Sequence, residues 1–163
     1  MNLPRSFRQA VAGTIAWLCV AGAFAASHGD HSQAQDPVAL GRHLVQIGGC
    51  NDCHSPGYSQ QGGQTPEATW LTGDRMGWRG PWGTTYPTNL RLFVTGLSEA
   101  QWLQHTRRME PRPPMPWFNL RAMTDQELRA IYRYLRAAGP AGEVAPAYLP
   151  PGQTPTTPTV LFP

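Results

Sequence analysis

Cys50-Asn51-Asp52-Cys53-His54 is the stretch of this sequence whose residue types and spacing can do chemistry. C-x-x-C-H is the attachment pattern for haem c. Two thiols separated by two residues can add to the two vinyl groups on one edge of a porphyrin, forming thioethers. The histidine that follows is then held beneath the iron as the proximal axial ligand. Other readings of C-x-x-C are weaker here. A thioredoxin-like redox pair wants a βαβ context, and no buried strand run precedes this one. A zinc site needs four ligands and finds no second Cys or His pair. A disulfide over so tight a loop would staple little.

An iron held by His54 leaves a sixth position. Met76, Met109, Met115 and Met123 are the candidates beyond the N-terminal segment. Met115 stands in Pro113-Pro114-Met115-Pro116, where prolines on both sides fix the backbone and reduce the entropy lost in holding a sulfur on iron. From there it can approach the haem face opposite His54. Met109 fits the end of the helix before it, Met123 fits the start of the helix after it, and Met76 sits close to the motif. The alternatives are Met115 as a core gap-filler, or His43 or His105 as a second imidazole. Trp78, Trp82, Tyr86, Phe93 and Trp117 are candidate pocket walls. Arg79, Trp82, Tyr86 and Asn89 are candidate contacts for the haem propionates.

Three helices are expected to position these residues. The first starts with Asp36 as N-cap and Pro37 at the first helical position, where the missing N–H costs nothing. It carries Leu40, Leu44 and Ile47 on one face, leaves a notch at Gly41, and stops at Gly48-Gly49 just before Cys50. The second starts at Ser98, whose Gln101 three residues on makes a capping box, and carries Trp102 and Leu103. The third is capped by Thr124 with Glu127, stapled by Met123 and Leu128, and lined by Leu128, Ile131, Tyr132 and Leu135 up to Gly139-Pro140. Between the first two lie about 40 residues rich in Gly, Pro and Trp, a loop length acceptable in a small domain if it wraps a large rigid ligand.

The ends are different in kind. Arg5 and Arg8, an apolar run from Ala10 to Ala23, and Ala23-Phe24-Ala25 form the pattern of a secretory signal peptide over residues 1–25, too short for a membrane span. Residues 26–35 read as a flexible lead-in in which His28 and His31 are solvated. Residues 140–163 hold seven prolines and read as an extended tail, apolar enough at Tyr148, Leu149 and Val160-Leu161-Phe162 to lie back along the domain.

At 163 residues, with 40% hydrophobic and 14% charged residues, the chain suits a single ordinary domain, here residues 36–139. All 13 cations are arginine and none is clustered, so the net charge of +3 gives no nucleic-acid footprint. Losing residues 1–25 would leave eleven arginines against ten carboxylates, near neutrality, and Cys50 and Cys53 as the remaining cysteines.

GRHLVQIGGCNDCHSPG, YPTNL, TGLSEAQW and PPMPWFNLRAMTDQELRAIYRYLRAAGP together resemble a single-haem class I cytochrome c over roughly residues 37–139. The sequence is most similar to the bacterial periplasmic type whose domains also occur as cytochrome subunits of dehydrogenases. The resemblance implies an all-α fold, three main helices and long loops enclosing one covalent haem c. It implies attachment at Cys50 and Cys53, axial ligation by His54 and Met115, and a first helix crossing the last at Gly41 with Tyr132 or Tyr134 beside it. It also implies single-electron transfer between redox proteins, a dehydrogenase donor or an oxidase or other acceptor, as a free carrier or as a non-catalytic subunit. A haem peroxidase or gas sensor with a labile sixth ligand is the rival from another class. Two departures stand out. Arg91-Leu92-Phe93-Val94 replaces the acidic segment common in dehydrogenase-linked relatives, and the lysine ring used by some cytochromes c for docking is missing, so docking here would use arginines, an apolar rim or both.

Overall fold

The computed structural model of the chain describes residues 36–162. The expected export segment, residues 1–25, and the lead-in with His28 and His31 lie outside the described residues. Six helices follow one another as α1 (Pro37–Ile47), α2 (Cys50–His54), α3 (Leu90–Phe93), α4 (Glu99–Arg108), α5 (Trp117–Ala122) and α6 (Asp125–Ala138). Three single-turn 3-10 helices (Ser59–Gln61, Glu67–Thr69 and Val94–Gly96) and three short strands, β1 (Gly77–Gly80), β2 (Gly83–Thr85) and β3 (Thr159–Leu161), are the other elements among the described residues.

The long helices begin where their caps require. Asp36 accepts the Val38 N–H at 3.0 Å with Pro37 in the first turn of α1. Ser98 and Gln101 bond reciprocally at α4, and so do Thr124 and Glu127 at α6. A pair of orphan N–H groups is satisfied at each capping box.

α1 and α6 cross face to face at Gly41. A Cβ there would lie 2.0 Å from the Ala130 carbonyl oxygen and 2.8 Å from Tyr134 Cβ, so the two backbones touch and only glycine fits. Around this crossing Leu44, Val45, Ala130, Ile131, Tyr134 and Leu135 form the core with Trp70, Leu71, Val94 and Trp102. Tyr134 is the tyrosine at the crossing, while Tyr132 is only partly buried and donates its OH to the Leu97 carbonyl at 2.7 Å. One expected core position is corrected. Ile47 is 67% exposed, and Val45 takes its place inside. The contact face centres on Gly41, Leu44 and Val45, and Ile47 lies about a third of a turn away from Gly41 on the helix surface.

The fold is helical in its body but not wholly α. β1 pairs antiparallel with β2 and parallel with β3, giving the order β2-β1-β3. β3 belongs to the proline-rich tail, which therefore lies back on its own domain. Strands of three or four residues, two of them glycine-rich, carry too little periodicity to read from sequence. No helix among the described residues is long and apolar enough to cross a membrane.

Candidate functional site

The attachment motif forms its own helix. On α2, Cys50, Cys53 and His54 stand at i, i+3 and i+4, the spacing that places side chains on one face. The opposite side faces the core. Asn51 is fully buried, its Oδ1 accepts from Ser55 Oγ at 2.7 Å, and that hydroxyl oxygen in turn accepts the Leu71 N–H at 2.7 Å. The Gly73 N–H donates to the His54 carbonyl at 2.8 Å and fixes the helix end.

His54 Nδ1 lies 2.8 Å from the Thr88 carbonyl oxygen. A carbonyl can only accept, so Nδ1 carries the proton and Nε2 keeps its lone pair. Burial lowers the ring's basicity below that of an ordinary histidine, against the opposing effect of the Thr88 bond, and keeps it neutral. Both cysteines are free. Burial pushes the Cys50 thiol up to about 11, with Asp52 and Cys53 adding to it. Cys53 is raised for the same first reason, helped by Asp52 and Asp74. A dithiol redox site depends on the opposite shift, a lowered thiolate pKa. Among the described residues no group of three His, Cys, Asp or Glu side chains forms a metal-binding cluster.

This face of α2 opens on a cleft of about 650 Å³. Cys50, Cys53 and His54 border it on one side, and Pro114-Met115-Pro116 border it too, from the loop between α4 and α5. Val45, Leu90, Phe93, Trp102, Leu120 and Ile131 supply apolar lining. Trp78 and Tyr86 line it as well.

Several residues expected at the cofactor lie elsewhere. Arg79 is exposed on β1 and is not among the cleft residues. Trp82 packs edge-on against Phe162, 5.9 Å between centroids, away from the cleft. Asn89 is buried and fully engaged: its Oδ1 caps α3 at Leu92 N, and its Nδ2 donates to the Ala141 and Glu143 carbonyls at 2.8 and 3.0 Å. Trp117 stacks under the Arg121 guanidinium at 4.3 Å, outside the cleft lining. Of the methionines, Met109, Met115 and Met123 border the cleft and Met76 does not. Met109 is the C-cap of α4 and Met123 packs against the core cluster, whereas Met115 stands on the loop between prolines. His43 is exposed on α1 away from the cleft, while His105 reaches its edge, tilted on Phe93 at 5.0 Å.

Sequence reasoning missed two arginines. Arg112 lines the cleft and stacks on Tyr148 of the tail, 3.7 Å from the ring centroid. Its position three residues before Met115 was the available signal. Arg91, noted only as a departure from relatives, is a buried clamp. It donates to the carbonyls of Gly139 at 2.6 Å, Ala68 at 2.7 Å and Ala138, and so closes the C-terminus of α6 where cations are favoured.

An apolar cleft bordered by two free thiols, a neutral imidazole with its Nε2 lone pair available, and a thioether fits haem c. A helical body with such a cleft suits a haem-binding protein. The family model for Cytochrome c matches residues 38–139, and the chain belongs to that family. Haem c is accordingly its covalently bound cofactor, attached through the C-x-x-C-H motif. No curated protein and no solved structure matches the chain.

Proposed function

We propose that the protein is an exported carrier of single electrons whose iron is held by His54 and Met115, with thioethers at Cys50 and Cys53. When bound, the haem would supply an iron centre able to alternate between Fe(III) and Fe(II), and His54 and Met115 are the residues that would hold it. The observation that carries this reading is that Met115 and His54, whose Nδ1 is taken up by the Thr88 carbonyl, border the same apolar cleft.

The chain's own residues account for the rest. Thr88 holds the His54 tautomer and ring orientation, the usual task of a partner behind a metal-bound histidine. Phe93, Trp102 and Ile131 supply an apolar lining that would keep water from the group, and a thioether ligand would favour the reduced state, so both would raise the potential. Held by two protein donors, the iron would leave no position for a substrate, and its task would be outer-sphere transfer to redox proteins. Export to the periplasm is part of the proposal and is supported by the pattern of residues 1–25. The ferric protein should show the weak near-infrared absorption of a thioether on haem iron and should lose it on Met115→Ala. Rapid capture of cyanide by the wild-type protein would favour a labile-ligand enzyme or sensor instead.

A further inference from the structure

We propose that Tyr148 is a positioning residue for the haem site: the tail straps down the loop that carries Met115 through a stack of Arg112 on the Tyr148 ring. The inference rests on Met115 being the axial ligand. The strap lies beyond residue 139, where the family match ends.

The strap is fixed along its length. Asn89 holds its beginning through the Ala141 and Glu143 carbonyls. Leu149 and Thr84 exchange both backbone hydrogen bonds, at 2.8 and 3.0 Å. This approach requires glycine beside it: Gly83 has φ +101°, and a Cβ there would fall 2.2 Å from the Leu149 carbonyl oxygen. Further on, Tyr86 OH and Thr157 Oγ1 lie 2.9 Å apart, and β3 pairs with β1. Tyr148 thus sits on an anchored segment, and its OH donates to the Trp82 carbonyl at 2.7 Å.

The other half of the stack belongs to the methionine loop. Arg112 makes no hydrogen bond or ion pair with a described residue, so the Tyr148 ring is the contact that fixes its guanidinium. Only Pro113 and Pro114 separate Arg112 from Met115, and proline locks φ. Thr85 Oγ1 donates to the Pro113 carbonyl at 2.8 Å, a second pin from the same sheet. On the helical side Arg121 bonds the Met109 carbonyl at 3.3 Å and the Glu110 carboxylate at 3.0 Å. Removing the stack leaves the stretch next to Met115 hanging from Thr85 alone on the sheet side.

A ligand from solution reaches the iron only while the Met115 sulfur is displaced, so its capture rate reports the population of the open loop. A cation–π contact between exposed and desolvated strength corresponds to roughly a 2- to 30-fold change in that population. The test is stopped-flow cyanide binding to the full-length, haem-loaded ferric protein, with the near-infrared thioether absorption recorded alongside. Tyr148→Leu and Arg112→Gln should each speed capture by roughly 2- to 30-fold. Tyr148→Phe, which keeps the stacking ring, should stay near wild type, and the double variant Tyr148→Leu/Arg112→Gln should be no faster than the faster single one. Wild-type rates in both single variants, or rates that multiply in the double variant, would overturn the strap. Absence of the thioether absorption in wild type would overturn the ligand assignment itself, and the strap with it.

Discussion

Gly41→Ala probes the contact on which the whole helical body rests. The new Cβ would sit 2.0 Å from the Ala130 carbonyl oxygen, 2.6 Å from its carbon and 2.8 Å from Tyr134 Cβ. Reaching an ordinary 3.4 Å contact with the oxygen requires α1 and α6 to separate by about 1.4 Å. Backbone lines that contact, so no side-chain rotation relieves it. A gap of only about 0.5–1 Å already forfeits roughly a quarter to a half of the packing attraction across an interface, which sets the least loss expected here. The large buried side chains there are Leu44, Val45, Ile131 and Tyr134, each contributing about 2 kcal/mol when buried. The loss is then at least about 2–4 kcal/mol, and the better helix propensity of alanine returns about 1 kcal/mol. A net destabilisation of at least about 1–3 kcal/mol should lower Tm by at least roughly 3–15 °C in a domain of this size. Thermal unfolding of the haem-loaded protein, followed by far-ultraviolet circular dichroism, measures it. Gly96→Ala is the control, because nothing lies within 4 Å of a Cβ there, and it should be neutral or slightly stabilising. A Gly41→Ala protein as stable as wild type would refute a backbone-to-backbone crossing at this residue.

Cys53→Ala should yield a protein with little stable helix, because cofactor attachment and folding are coupled. A cooperative, fully helical haem-free form by circular dichroism would count against it. Arg91→Leu should cost about 2–4 kcal/mol by removing a buried guanidinium from three carbonyls at the end of α6. The urea midpoint should fall, and Arg91→Lys should not restore it, since one ammonium cannot reproduce the planar fork. Glu99 is held below the usual carboxylate range by hydrogen bonds from Arg133 and Arg129, at 2.8 Å each. The folded state therefore binds fewer protons than the unfolded one in that window. The stabilisation is fully present above pH 4.5 and is lost as pH falls through the lowered folded value. Glu99→Gln should flatten the acid limb of a stability-against-pH curve, and an unchanged slope would show that this ion-pair node does not contribute.

The parts of the fold that could be read in the sequence are those with local causes. Asp36-Pro37, Ser98 with Gln101, and Thr124 with Glu127 place three helix starts because capping chemistry acts within one turn. C-x-x-C-H marks one wall of the site for the same reason. What stayed hidden depends on partners distant in the chain. Arg91 acts on carbonyls at Ala138 and Gly139, and nothing near Arg91 in sequence announces the end of α6. Asn89 looked available for a propionate, but the tail takes up its amide at Ala141 and Glu143. Arg79 and Trp82 are polar and aromatic residues in the right loop, yet Trp82 packs on Phe162 and the Arg79 carbonyl takes the Phe162 N–H, while Trp78 of the same strand reaches the cleft. The sheet itself depends on β3, about 80 residues after β1, meeting it in parallel register. Composition could say that loops wrap a flat ligand, but not which loop residues face it.

The most direct measurement is the near-infrared spectrum of the ferric, haem-loaded protein in wild type and in Met115→Ala, Met109→Leu and Met123→Leu, since all three methionines border the cleft. The thioether absorption should be present in wild type, survive Met109→Leu and Met123→Leu, and vanish only in Met115→Ala. Absence of the absorption in wild type, or its persistence in Met115→Ala, would contradict an iron closed by His54 and Met115 and built for electron transfer alone.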